Sequence, residues 1–402
     1  MKACIVVFDG MADRPIKELG DKTPLEVAAT PTLNALARKG INGLLDPIAP
    51  GVRVGSDTTH LAILGYDPYK IYSGRGPFEA LGVGMKLEEG DIALRCNFAT
   101  VGEDGRVLDR RAGRISDGTV ELAQALNTIE IGREFVFKES VGHRGVLILK
   151  GKGKLTLSPE VTDSDPHTLG EKIQEVKPLD SSKEGTATAN FLNAFSRKAL
   201  EVLGKHDVNM ERAKVGLAPA NAILMRGCGR AAKVEPFLEK HGARGACMAS
   251  VGIINGIAVA AGMDVLNTPS PYAARVKKAL KVLNEYDVVI LNIKEADEAS
   301  HDHNFEKKIR IIEEIDSALA PVIDFIEQNY VALLCDHTTS VSYGDHTGDP
   351  VPITIAGPEV RSDGVVEFDE RSAPNGGLCR IRGIDIMPIL MDLMNRSEKF
   401  GA

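Results

Sequence analysis

The sequence predicts an α/β protein whose mainly parallel sheet is built from both ends of the chain, with an α+β insert between them. Residues 3–8 form a continuous apolar run, and 288–293, broken only by Asn292, and 330–334 read as further buried strands, which means burial on both faces, as in a parallel sheet covered by helices. Each run is followed by acidic or imidazole side chains, at the edge where open α/β sheets place their ligands. Between residues 86 and 230 the texture changes to short strand-like pieces mixed with helical ones, the pattern of an α+β domain. The expected division is a discontinuous core of residues 1–85 and 231–402 and an inserted domain of residues 86–230.

In chain order, the first run ends in Asp9-Gly10, and Thr30-Pro31 opens a helix with Leu33, Leu36 and Ala37 on one face, closed by Gly40. Gly55-Ser56-Asp57-Thr58-Thr59-His60 precedes the apolar Leu61-Ala62-Ile63-Leu64. Ser56 therefore stands at a helix N-terminus, where free backbone N–H groups favour an arriving oxyanion. A serine in that place is most often an N-cap, and its hydroxyl is a poor nucleophile until a base or a metal activates it. Turn-rich Ser73-Gly74-Arg75-Gly76-Pro77 leads into a short helix over 78–81. Gly82-Val83-Gly84 follows no strand, so it reads as a turn and not as a dinucleotide fingerprint. In the insert, 92–98, 134–137 and 145–149 read as strands, and 120–126 and 189–203 as helices. Beyond it, 246–251 and 352–355 are further strands, and 272–285 and 384–394 are helices. The most apolar stretch, 248–263, reads as a buried element broken by Ser250 and Asn255.

At 402 residues, two domains are the default. Apolar residues at 43% and charged residues at 26% are the mixture of a globular enzyme. No window approaches the ~18 apolar residues of a membrane span. A net charge of −8 weighs against a nucleic-acid backbone or an anionic membrane as partner, so an anionic substrate needs a local cluster of Arg and Lys. Six scattered cysteines, never in C-x-x-C, speak against disulfides and thiolate zinc. The expectation is a soluble cytoplasmic protein. A homo-oligomer is compatible with the sequence, which does not decide it.

Chemistry-bearing side chains gather after the predicted strands. Asp9 follows the first. Asp297 and His301 follow the run ending at 293 and share a face if that segment is helical. Asp336-His337 follows the run ending at 334, and His346 lies in a Gly- and Asp-rich loop before Pro350. A lone Asp after a strand is usually a turn former, but three Asp and three His on one sheet edge exceed what one divalent ion needs. With the Ser56 oxygen they suit two. Imidazole mixed with carboxylate favours Mn²⁺ or Zn²⁺, with Mg²⁺ and Co²⁺ compatible, whereas a wholly carboxylate site would favour Mg²⁺ or Ca²⁺. Two-metal sites clamp the attacking and leaving oxygens of an in-line displacement, which supplies the activator for Ser56. The reaction class is phosphoryl transfer through a phosphoserine.

The chain resembles the archaeal-type cofactor-independent phosphoglycerate mutases of the alkaline phosphatase superfamily, nearly end to end. The residues that carry the resemblance are Val7-Phe8-Asp9-Gly10, Gly55-Ser56-Asp57-Thr58 through Leu64-Gly65-Tyr66-Asp67-Pro68, and Ser73-Gly74-Arg75-Gly76-Pro77-Phe78-Glu79. Asp297-Glu298-Ala299-Ser300-His301-Asp302, Asp336-His337-Thr338, and His346 ahead of Asp349-Pro350-Val351-Pro352 complete the set. The resemblance implies an alkaline-phosphatase-like three-layer core with an inserted α+β cap. It implies that Asp9, Ser56, Asp336 and His337 bind one metal, and Asp297, His301 and His346 the other. It further implies that 2- and 3-phosphoglycerate interconvert through phosphorylated Ser56 without 2,3-bisphosphoglycerate, while the insert holds the glycerate as it is reoriented.

A mutase must keep water from its phosphoserine, and closure of a cap performs that exclusion. The cap must also offer Arg forks to a carboxylate and a phosphate. Arg95 and Asn97, Asp109 with Arg110, Arg111 and Arg114, and Arg226 are the candidates, with a solvated charge pair as the ordinary alternative for Arg110 and Arg111. His143, Asp163 and His167 also fall in the insert and carry no assignment. Two departures bear on substrate choice: Asn255 stands where relatives commonly have a Lys near Gly256, and 267–271 lacks the expected Gly-rich loop. The alternative reading is a related metal-dependent phosphatase or phosphomutase acting on another small phosphorylated substrate.

Overall fold

The strand Ala3–Phe8 is flanked in parallel by Val288–Ile293 on one side and Tyr330–Cys335 on the other. All six of its residues are buried, the condition that makes its sequence apolar without alternation. The computed structural model describes residues 1–152, 156–399 and 401, which divide into Met1–Ile71 with Val234–Ala402 as one unit and Tyr72–Lys233 as the other.

The first unit is built on an eight-stranded sheet in the order Cys379–Arg382, Gly40–Asp46, Val351–Ala356, Tyr330–Cys335, Ala3–Phe8, Val288–Ile293, Gly245–Met248 and Asp264–Val265. Val351–Ala356 runs antiparallel to both neighbours, and every other pair is parallel. The helix Pro31–Lys39 buries Leu33, Leu36 and Ala37, and the Asp316 carboxylate accepts from the Thr32 and Leu33 N–H groups at its start. Gly40 closes that helix and also begins a strand the sequence pattern hides. A Cβ at Gly40 would lie 2.7 Å from the Ile355 carbonyl oxygen, and one at Gly43 2.8 Å from that of Cys379, so close packing demands the residues that dilute the strand signal. The apolar stretch 248–263 is not one element: the strand Gly245–Met248 ends inside it and the helix Gly252–Ala260 follows. Among the described residues no helix is long and apolar enough to cross a membrane.

A buried ion pair ties together the segments after the first strand. Lys308, on the helix Phe305–Ala318, is fully buried, and its Nζ donates to Asp13 Oδ2 (2.8 Å), the Ala12 carbonyl (3.2 Å) and the Thr339 carbonyl (3.0 Å). Asp13 in turn accepts from the Val341 N–H on both oxygens at 3.2 Å. All three ammonium hydrogens are thus satisfied, the requirement for burying such a charge.

The second unit is an antiparallel sheet around Ile92–Val101, which pairs with Arg144–Leu149 and Ala222–Arg230, while Phe135–Glu139 and Val107–Asp109 extend it. Ile92, Leu94, Cys96 and Phe98 alternate onto a core shared with Leu122 and Leu126 of the helix Thr119–Leu126 and with Leu192 and Phe195 of Lys183–Gly204. On the opposite face Ala93 packs with Val146, Ile148 and Ala80 of the helix Arg75–Gly82. A Cβ at Gly76 would collide with the Ala93 carbonyl oxygen. Residues 72–85 therefore belong with the insert and not with the outer segments, a correction to the boundary expected at 85. The polar stretch Glu88–Asp91 is a turn inside this unit, where Asp91 accepts from Glu88 N, Gly151 N and Lys150 Nζ.

Candidate active site

The C-terminal ends of the central strands deliver the site. Asp9 follows Phe8, Asp336 follows Cys335, and the helix Glu295–His301 follows Val288–Ile293. His346 sits in the hairpin strand Asp345–Thr347, paired with Thr338–Ser340, and not in an irregular loop. The helical turn between Asp297 and His301 leaves His301 Nε2 3.4 Å from Asp297 Oδ1, and His346 Nε2 is 3.5 Å from the same oxygen. Their Nδ1 atoms face the carbonyls of Gly344 and Val54, each at 2.7 Å. A carbonyl only accepts, so both Nδ1 atoms carry hydrogen, and in the neutral rings the Nε2 lone pairs point at a carboxylate. Hydrogen bonding to Asp297 raises the His301 pKa, and the same contact raises that of His346 against its burial.

Ser56 is the first residue of the helix Ser56–Ile63, with Gly55 as its N-cap. Its Oγ lies 3.2 Å from His337 Nε2 and 3.4 Å from Asp9 Oδ1. His337 Nε2 also meets Asp9 Oδ1 at 3.5 Å and Asp336 Oδ2 at 3.4 Å. Thr339 fixes the ring: its hydroxyl donates to Asp297 Oδ1 at 2.9 Å, so it accepts from His337 Nδ1 at 3.0 Å, and the Nε2 lone pair is left toward the acids. Gly10 N donates to Asp336 Oδ1 at 3.0 Å, whereas Asp336 Oδ2 is buried without a hydrogen bond. Burial pushes Asp9 up to about 6 against the pull of Lys294, and burial together with Asp9 raises Asp336 well above the usual carboxylate range. Burial, reinforced by His346, holds His337 well below the usual histidine range.

The seven residues expected to hold metals therefore converge. One ligand atom from each of Asp297, His301 and His346 lies within 4.8 Å of the others, and so does one from each of Asp9, Asp297 and His337. Asp297 stands in both groups, while Ser56 and Asp336 adjoin the second through His337. Buried carboxylates, an unpartnered carboxylate oxygen and inward imidazole lone pairs fit divalent cations, because each is costly without a positive partner. Two neighbours carry no ligand signature in the sequence. Lys294 Nζ is 2.7 Å from Asp297 Oδ2, and Asn292 Nδ2 is 3.3 Å from Asp9 Oδ2. The i, i+3 spacing of Lys294 and Asp297 was the one available clue to the first.

In the second unit, Arg95 and Asn97 share the face of Ile92–Val101 opposite its core, with Arg226 across from Arg95 and Arg144 across from Asn97. Glu79 reaches this face from its helix, with Oε1 3.1 Å from Arg95 Nη1 and 3.3 Å from Arg75 Nε. The Nε atoms of Arg95, Arg144 and Arg226 and Oδ1 of Asn97 are buried without hydrogen bonds. Burial, with Arg226, Arg75 and Arg144 nearby, pulls Arg95 down to about 9 despite Glu79, and burial with Arg144 and Arg111 pulls His143 down to about 4. Crowded guanidiniums with buried donors unsatisfied make a site for an anion. Arg75, Arg144 and Glu79 belong to this cluster although the sequence reading did not place them there.

The other insert candidates lie differently. Asp109 accepts from Arg111 N (2.7 Å) and Gly113 N (2.6 Å), so it shapes its own turn. Arg110 forms a bidentate pair with Asp165 at 2.9 and 2.6 Å and approaches His167 Nδ1 at 3.3 Å. Arg111 and Arg114 are exposed.

The sequence profile of the family described as 2,3-bisphosphoglycerate-independent phosphoglycerate mutase matches residues 37–209. A Methanothermobacter thermautotrophicus protein of that name is 50% identical over the whole of both chains. A solved structure of a Pyrococcus horikoshii protein superposes with a TM-score of 0.86 at 38% identity, covering 100% of this chain and 99% of its own. The cofactor-independent phosphoglycerate mutase of Thermoplasma acidophilum gives 0.68 at 38% identity, over 98% of this chain and all of its own.

Proposed function

This chain belongs to the 2,3-bisphosphoglycerate-independent phosphoglycerate mutases, and from that premise we propose that Ser56 carries the phosphoryl group between the two hydroxyls of glycerate at a two-metal site. The enzyme interconverts 2- and 3-phosphoglycerate, an isomerisation within glycolysis and gluconeogenesis, and its family implies divalent metal ions. The observation that supports the mechanism is a serine oxygen set beside His337 Nε2 and Asp9 Oδ1, at the edge of a group of three buried carboxylates and three imidazole nitrogens.

Asp9, Ser56, Asp336 and His337 would hold one ion, and Asp297, His301 and His346 the other. Metal ions held there would lower the pKa of the serine hydroxyl and offset charge on the phosphoryl oxygens. The mixed imidazole and carboxylate donors favour Mn²⁺ or Zn²⁺. Thr339 keeps the His337 nitrogen that faces Ser56 free of hydrogen. The helix start at Gly55 sets the Ser56 oxygen against the acids. In the first transfer the bond from Ser56 Oγ to phosphorus forms as the phosphorus–oxygen bond to substrate breaks, and the serine proton ends on the departing oxygen. The second transfer reverses these changes at the other hydroxyl. Arg95, Arg144 and Arg226, with Arg75 braced by Glu79, recognise the anionic groups of the acid.

The test is a coupled assay from 3-phosphoglycerate with no 2,3-bisphosphoglycerate added. Turnover is expected, is lost on exhaustive chelation, and returns with Mn²⁺ or Zn²⁺. Ser56→Ala should still take up metal through the remaining ligands and show no turnover. An active Ser56→Ala protein would rule out the covalent route, and full activity in metal-free protein would rule out the metals.

A further inference from the structure

Lys294 has no part in the ligand groups, yet it stands against them. It is the N-cap residue of the helix Glu295–His301. Its side chain keeps 21% exposure, while its partner Asp297 keeps 5%. Asp297 Oδ2 takes one of its three N–H donors, and the other oxygen of that carboxylate faces Thr339, His301 and His346. Lys294 therefore leaves the ligand oxygen alone and holds a compact point charge at the border between the acids and open solvent.

The consequence is one of charge balance. Asp9, Asp297 and Asp336 bring three negative charges. Two divalent ions would leave the group with one positive charge, and the ammonium of Lys294 makes it two. A phosphate monoester is close to a dianion at neutral pH, since its second pKa is about 6. A phosphodiester has one negative charge under the same conditions.

We propose that Lys294 is a specificity-determining residue, whose ammonium matches the metal-loaded site to a dianionic phosphoryl group. This rests on the two-metal reading above. The competing role is structural, in which Lys294 only orients Asp297 for its ion. The two roles predict opposite effects on metal. Removing a positive charge beside the acids should leave cation binding as tight or tighter, whereas losing an orienting contact should weaken it.

The experiment uses the full chain, stripped of metal and reloaded with Mn²⁺. It compares the native protein with Lys294→Gln and Lys294→Arg. Mn²⁺ stoichiometry and affinity are read by equilibrium dialysis, then orthophosphate and dimethyl phosphate are titrated calorimetrically into the loaded proteins at pH 8. The native protein should bind two ions. Lys294→Gln should bind two at least as tightly, hold orthophosphate about tenfold more weakly, and hold the monoanionic dimethyl phosphate only about threefold more weakly, since half the ligand charge feels half the free-energy loss. Lys294→Arg should restore orthophosphate binding. Weaker Mn²⁺ binding in Lys294→Gln, or orthophosphate affinity within about twofold of native, would overturn the proposal. A native chain that binds no pair of ions would instead remove the two-metal reading and this inference with it.

Discussion

Thr339 is no metal ligand in the proposed assignment, yet its one hydroxyl settles what two ligands can do. By donating to Asp297 and accepting from His337 it fixes which imidazole nitrogen faces Ser56. Thr339→Val is expected to weaken Mn²⁺ binding by roughly 10- to 100-fold, the usual cost of losing such a support, as measured by dialysis of metal-stripped protein. Glu370 offers a separate test. Burial raises it to about 7 from 4.5, against the bonds it accepts from Asp13 N and the Thr23 hydroxyl. A carboxyl raised in the folded state adds stability that is fully present below pH 4.5 and lost as pH rises through about 7. Glu370→Gln should therefore gain on the native protein across that interval and hold a constant advantage above it, read as urea midpoints against pH. The acids and histidines were legible in the sequence because their types and their places after strands announce chemistry. Thr339, Lys294 and Glu79 were not, because each acts through a contact that the fold alone creates.

Among the elements, the hairpin bearing His337 and His346 depends on the helix Phe305–Ala318 through one ammonium. Lys308→Met would strand the Asp13 carboxylate in a buried position, and breaking a buried pair costs about 3–5 kcal/mol. Chemical denaturation should show a loss of that size, reduced when Asp13→Asn is added to relieve the orphaned charge. Strands with both faces covered were readable from their nearly unbroken apolar runs. Gly40–Asp46 and Ala222–Arg230 escaped for opposite reasons. The first needs glycine where neighbouring backbone presses in, and the second carries Arg226 and Arg230 in a sheet that turns a polar face outward from its core.

At the scale of the molecule, the insert is a unit with its own core, and its two ends lie side by side. Ser73 Oγ donates to the Arg230 carbonyl, and a Cβ on Gly74 would collide with the carbonyl of Cys228. Residues 72–233 can therefore be replaced by a short linker. The shortened protein is expected to hydrolyse phosphate monoesters and to lose mutase activity, with released phosphate and the coupled assay as the two readouts. Mutase activity surviving that deletion would remove the insert from the reaction. The composition change marked the insert but placed its beginning later than the fold does, since the helix Arg75–Gly82 reads like its predecessors and its contacts with Ala93, through Gly76 and Ala80, reveal its allegiance.

The place of Ala3–Phe8 between Val288–Ile293 and Tyr330–Cys335 has a consequence for biosynthesis. The ribosome makes this greasy hexapeptide ahead of the insert, and both of its lateral partners are translated after the insert. At about 5–20 residues per second, the amino-terminal segment waits roughly 15–60 s for its first neighbour, long enough for residues 72–233 to fold ahead of it. Nascent chains stalled before residue 288 should be the most chaperone-dependent and the most prone to clump, and those released after residue 335 the least.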